Sequence, residues 1–262
     1  MNDPAAIRGD LESSYDAIEA LCASFGPDDW QAQSLCPDWT VRQVVDHLAQ
    51  IEAILVGWTP ESADATPPFA QAGAFVAETE SLGDAAFAAA TRAVFDQRRE
   101  DLVSLTDHEL ERPSWTPLGP ATYGRFLGVR VFDFWVHEHD IATPLARPGD
   151  ASGPRAERSV DEVAGSLGYI VGKKIGLTDG QSIAFHLHGG VARDLYVEVD
   201  GRARRVDHLE RPDVELSADS LTFVQLACGR IDPQSAIDAG TISWTGDDEL
   251  GDRAARNLRF TM

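Results

Sequence analysis

CPDWTVRQVVDHLA, residues 36–49, is the stretch from which the first half of this chain is read. Thr40 and Gln43 form a T-x-x-Q capping box, in which each side chain satisfies an orphan backbone donor at a helix start. From there Val41, Val44, Val45, Leu48, Ile51 and Leu55 recur at helical spacing, so an apolar stripe runs along a helix to about Trp58. His47 falls inside that arc, beside Ile51, Ile54 and Trp58, while Arg42, Gln43, Asp46 and Gln50 face the other way. An imidazole is therefore turned toward whatever packs on this helix.

A second helix supplies what it meets. VFDFWVHEHD, residues 131–140, is apolar around nearly its whole circumference, yet it carries Asp133 and His137 four residues apart. That spacing places both side chains on one face, one turn apart. An unpaired carboxylate in an apolar core is costly, so a partner is required: His137 itself, an arginine from a neighbouring helix, or a metal ion. Two inward imidazoles and a carboxylate form a donor set that suits zinc and leaves one coordination position open. A plain hydrogen-bonded Asp–His pair is the alternative reading.

Two further helices complete the first half. One starts at Asp3-Pro4, a cap followed by a first-turn proline, and runs to about Phe25; an Ala-rich one spans about Asp84 to Leu105. The segment TPESADATPPF reads as a loop, and ERPSWTPLGPAT as a Pro-rich connector into the helix from about Thr122 to Leu145. Four principal helices make a four-helix up-down bundle the expected architecture of residues 1–148.

After the linker RPGDASGPRAE the pattern changes. A helix over about 157–175 precedes strand-like alternation in SIAFHLHG and RDLYVEVDG, and DVELS and TISWTG read as further strands. SADSLTFVQLACG and DELGDRAARNL read as helices, so residues 155–262 form a small α+β domain and the chain is α+β with two domains.

Composition narrows the function. The chain of 262 residues carries 43 Asp and Glu against 22 Lys and Arg, a formal charge of -21, which argues against nucleic acid or an anionic membrane as the partner. Three cysteines without a CxxC pair fit neither a disulfide framework nor a thiolate zinc knuckle. With no signal-like N-terminus and no apolar run of membrane-spanning length, a cytoplasmic protein, monomeric or weakly dimeric, is expected.

These residues carry a resemblance. CPDWTVRQVVDHLA, followed by TPLGPATYGRFLGVRVFDFWVHEHDI, resembles the mycothiol-dependent maleylpyruvate isomerase family, an actinobacterial branch of the DinB-like metal-binding four-helix bundles. The second half is similar to that family's C-terminal domain, related to sterol-carrier-type folds, through LACGRIDP and GDDELGDRAARNL. The resemblance implies metal ligation by His47, Asp133 and His137, with zinc or another divalent metal as the ion and mycothiol as the thiol cosubstrate. It implies a transferase or isomerase in which the activated thiol attacks a small electrophile. A zinc-hydroxide hydrolase and a non-catalytic binder of metal or of a hydrophobic ligand are the alternatives. The family's acidic ligand is Glu where this chain has Asp133, one methylene shorter, which draws the ion toward the fourth helix or has the carboxylate bind through water. The family also uses a C-domain arginine; Arg230 is the candidate catalytic residue, suited to gripping an anionic substrate across the domain interface.

Other positions are weighed beside these. Asp140, three residues after His137, is placed to hold the second ring nitrogen of that histidine. His139 falls on the opposite side of the helix. His186 and His188 share a strand face without an evident carboxylate and read as solvent-facing. Cys36 reads as a small hydrophobe near a helix start, and GRARR, residues 201–205, as a solvated basic turn.

Overall fold

The structure is a computed structural model and describes residues 4–260. The chain divides into two compact units, residues 1–149 and 150–262. In the first, helices α1 (Pro4–Ala23), α2 (Val41–Leu55), α3 (Gly73–Thr79), α4 (Asp84–Ser104) and α5 (Asp107–Leu110) precede two antiparallel two-residue strands, β1 (Pro113–Ser114) and β2 (Ala121–Thr122). Helix α6 (Tyr123–Ala142) follows directly. The long helices α1, α2, α4 and α6 make the bundle, with α1 and α2 each packed on both α4 and α6. The cap expected at Asp3 lies outside the described residues. Helix α3 falls between the loop TPESADATPPF and the Ala-rich helix, where the sequence assigns no element; at seven residues, with only Phe75 and Thr79 buried, it shows no periodicity to find.

The capping box starts α2 as its residues dictate: Gln43 N–H donates to Thr40 Oγ1 at 3.3 Å, and Thr40 N–H to Gln43 Oε1 at 2.8 Å. Val41, Val44, Val45, Leu48 and Leu55 are fully buried along its inner face. At the bundle centre Tyr15 stacks on Phe95 at 4.8 Å and meets the edge of Phe134 at 5.2 Å, so α1, α4 and α6 interlock through aromatic rings.

The second unit opens with α7 (Gly153–Gly165) and α8 (Leu167–Tyr169), continued by a π-helical turn over Ile170–Ile175. The helix read as continuous over 157–175 is thus broken after Gly165. A Cβ on Gly168 or Gly172 would come within 3.1 Å of Ala203, so these glycines let the segment after the break lie directly on a strand. That strand is β5 (Arg202–Val206), in a sheet with β3 (Ser182–His188), β4 (Arg193–Asp200), β6 (Val214–Asp219) and β7 (Ile242–Gly246). The order is β5-β4-β3-β6-β7, with only the β3–β6 pair parallel. The basic tract read as a turn is therefore an edge strand, and only Gly201, at φ +65°, makes the turn before it.

One face of the sheet carries Ile183, Phe185, Val197, Val214 and Leu216, all fully buried. Helices α9 (Ser220–Ala227), α10 (Pro233–Asp238) and α11 (Asp248–Asn257) complete the unit. Phe223 of α9 lies at 5.9 Å from the Phe185 ring. Asp219 ends β6 and starts α9, since its side chain accepts from the Leu221 and Thr222 N–H groups.

Candidate metal centre

Helices α2 and α6 bring His47, Asp133 and His137 together. His47 Nε2 lies 3.5 Å from Asp133 Oδ2, and His137 Nε2 lies 3.6 Å from Asp133 Oδ1. One donor atom from each of the three residues falls within 4.8 Å of the others. Two ligands at about 2.1 Å from a tetrahedral ion stand about 3.4 Å apart, so the measured separations fit a common cation better than a set of direct hydrogen bonds. The side chains of His47 and Asp133 are 26% and 28% exposed while that of His137 is 6% exposed, so the triad is open to solvent at His47 and Asp133. Trp39, in the turn before α2, places its ring 5.1 Å from His47 and 6.0 Å from His137 and walls the site on one side.

Behind the triad, His137 Nδ1 meets Asp140 Oδ2 at 2.8 Å. The carboxylate acceptor keeps the proton on Nδ1, which leaves the Nε2 lone pair directed at Asp133 and His47. Cys36 adds to this arrangement: its thiol donates to Asp140 Oδ2 at 3.2 Å and lies 3.8 Å from His137 Nδ1. Cys36, His137 and Asp140 also converge closely enough to hold an ion. A Nδ1–Oδ2 distance of 2.8 Å is nevertheless a hydrogen bond, shorter than two ligands of one tetrahedral ion allow. Cys36, read from sequence as a small hydrophobe, is buried and also a hydrogen-bond donor to the residue that orients His137.

On the bundle side of Asp133 lies a charged network the sequence reading missed. Arg130 Nη1 donates to Asp133 Oδ2 at 2.5 Å, and its Nε donates to Glu52 Oε1 at 2.9 Å. Glu52 Oε2 accepts from Arg98 Nε at 2.9 Å and from the Tyr15 hydroxyl at 2.7 Å. Arg98 donates on to Asp101 Oδ2 and to the Leu55 carbonyl. Glu52, Arg98 and Tyr15 are fully buried. Burial pushes the Glu52 carboxyl up, but the Arg130 and Arg98 guanidiniums and the bond from Tyr15 outweigh it and hold Glu52 below the usual range. Burial likewise raises Asp133, and the Arg130 guanidinium beside it outweighs this and holds it well below the ordinary carboxylate value. Asp133 is thus anionic, as a ligand must be. The signal was present in the helical pattern: Glu52 sits between Leu48 and Leu55 on the buried face of α2, and Arg98 continues the Phe87, Thr91, Phe95 stripe of α4.

The remaining candidates lie elsewhere. His139 is buried, edge-on to Trp135 with ring centroids at 4.4 Å, and takes no place in the triad. His186 does have carboxylates beside it, contrary to the sequence reading, because its cross-strand partner is Asp194 and Glu215 comes from β6. Its Nδ1 is 2.7 Å from Asp194 and its Nε2 is 3.5 Å from Glu215. Each nitrogen faces a different carboxylate, so the three do not converge on one point. Arg230 follows α9 in the second unit, half-buried, with Nη1 donating to the Cys228 carbonyl at 3.1 Å. All three cysteines are free thiols. No helix among the described residues is long and apolar enough to cross a membrane.

Comparison with known proteins covers both units. Residues 11–142 match the mycothiol maleylpyruvate isomerase N-terminal domain, and residues 157–253 match the C-terminal domain of that family. No curated protein matches the sequence. Two crystal structures, of the mycothiol-dependent maleylpyruvate isomerase and of a histidine-to-alanine mutant of it, are similar to this chain at 15% and 14% identity. Their TM-scores are 0.63 and 0.62, and each alignment covers 99% of this chain and 98% of the other, so the fold is shared from end to end. Both halves are matched in the same order within one chain, and this protein belongs to the mycothiol maleylpyruvate isomerase family.

Proposed function

We propose that this chain is a mycothiol-dependent enzyme, an isomerase or transferase, that binds a divalent cation, zinc by preference, through His47, Asp133 and His137. The observation that carries the reading is the convergence of two imidazole nitrogens and one carboxylate within 4.8 Å on the partly open side of the bundle. A cation held there supplies the Lewis acidity that makes a thiol shed its proton near neutral pH.

The chain's own residues prepare that chemistry. Asp140 holds the Nδ1 proton of His137 and so presents Nε2 as a donor. Arg130 keeps the Asp133 carboxylate ionised and anchored. One carboxylate and two neutral imidazoles leave a bound dication with net positive charge, which favours an anionic sulfur over a neutral ligand. Trp39 narrows the approach and offers an apolar wall to a small substrate. For a cis–trans isomerisation the thiolate adds to an activated double bond, the new single bond rotates, and the sulfur leaves again, so the thiol is regenerated. In a transferase the sulfur stays on the electrophile. We assign Arg230 to the anionic group of the substrate; its place in LACGRIDP supports this.

The test is direct. The purified chain should bind about one zinc ion, and His47→Ala and His137→Ala should each abolish it. Mycothiol titrated into the zinc form should release a proton, and Arg230→Ala should raise KM for an anionic electrophile without changing zinc uptake. Full zinc retention in both histidine variants refutes the site. Zinc uptake without any thiol response favours hydrolysis or simple binding.

A further inference from the structure

Arg130 touches both a candidate ligand and the buried network behind it, through Asp133 Oδ2 at 2.5 Å and Glu52 Oε1 at 2.9 Å. The residue is 6% exposed and its Nη2 is buried without a hydrogen-bond partner, so little solvent screens its charge. We propose that Arg130 is a positioning residue that tunes the cation site, holding one oxygen of Asp133 and, in balance with Glu52, setting how strongly that carboxylate attracts a cation. The inference rests on the His47–Asp133–His137 reading above.

Two effects of Arg130 oppose each other. Its bond fixes the carboxylate rotamer, which favours ligation. Its positive charge repels a dication and its N–H occupies lone-pair density on the donor, which disfavour ligation. The second effect wins, because a cation held between His47, Asp133 and His137 would itself fix the rotamer of Asp133. The charge has no such substitute, and it acts on an ion of charge two. Glu52 is the counterweight. It stands on α2, five residues beyond His47, and cancels part of the Arg130 charge. Arg130 thus loosens the ion and leaves it more electrophilic, while Glu52 limits that loosening.

This assignment predicts opposite signs for two changes that both damage the same network. Zinc affinity of the full chain, measured by competition with a chromophoric chelator, should tighten about tenfold or more in Arg130→Met. It should weaken about tenfold or more in Glu52→Gln, and Arg130→Lys, which keeps the charge, should stay within about threefold of the parent. Melting in excess chelator should show all three variants less stable than the parent. A purely structural role predicts the same loss of stability, but with zinc affinity falling in step with it in all three variants. Unchanged or weaker zinc binding by folded Arg130→Met overturns the proposal. If that variant does not fold, the other two decide: loss in Glu52→Gln with retention in Arg130→Lys supports it, and parallel losses overturn it. His47→Ala runs alongside. Full zinc affinity there removes the ligand reading itself, whereas loss there without a gain in Arg130→Met removes only the tuning role.

Discussion

Replacing Glu52 by Gln removes one negative charge from the interior of the bundle and leaves its geometry almost untouched. Glu52 faces Arg98 Nε and Arg130 Nε, each at 2.9 Å, and accepts the Tyr15 hydroxyl as well. At an effective dielectric of about 20, two unit charges about 4 Å apart attract by about 4 kcal/mol, so the two contacts bound the loss at about 8 kcal/mol. Part of this is retained, because Asp101 holds another edge of Arg98 and Asp133 another edge of Arg130. The expected cost is therefore about 3–5 kcal/mol, the range for a buried ion deprived of its partner. At about 2–4 °C per kcal/mol for a unit of this size, the melting temperature should fall by about 6–20 °C. Thermal unfolding followed by far-ultraviolet circular dichroism at neutral pH, with chelator present to exclude metal linkage, measures it. A combined Glu52→Gln, Arg98→Met variant should lose less than the sum of its single changes, since the partners are in contact. A loss under about 1 kcal/mol for Glu52→Gln would show that water or the remaining carboxylates already satisfy both guanidiniums, and the reasoning would fail.

Two further outcomes are expected. Asp140→Ala removes the acceptor that fixes the His137 tautomer, so zinc affinity should fall about 10–100-fold in a competition titration; a change under about twofold would show that Asp140 plays no part in presenting Nε2. The same network gives the protein a pH signature. The folded pKa of Glu52 lies below its unfolded value, so its stabilisation is present above the unfolded pKa and is lost as pH falls through the folded one. Between about pH 5 and pH 3 the melting temperature of the apo parent should therefore drop more steeply than that of Glu52→Gln, and parallel slopes would contradict the assignment.

Much of this was legible in the residues. The capping box, the α2 stripe and the i, i+4 pair on α6 are local patterns, and local hydrogen bonds and helical periodicity carry them directly. Even the role of Asp140 followed from its spacing after His137. What the pattern did not disclose depends on neighbours distant in sequence. Glu52 and Arg98 are 46 positions apart, and nothing in either helix alone says that one charge finds the other. The conversion of Cys36 from packing residue to donor depends on Asp140, 104 positions away. Strand β5 was missed for a different reason. Its alternation is charged rather than apolar, so hydrophobic patterning had nothing to register, and only pairing with β4 defines it.

That strand has a further consequence. It ends the sheet, and a terminal strand presents unused peptide groups on which a second copy can be laid down. Three of its five residues, Arg202, Arg204 and Arg205, are arginines with exposed side chains. A like chain laid on it in register would bring Arg202 and Arg205 beside their own counterparts, while Arg204 is held by Glu198 and Asp200, so like charges oppose that growth. Charge on this border therefore works against the addition of a second copy.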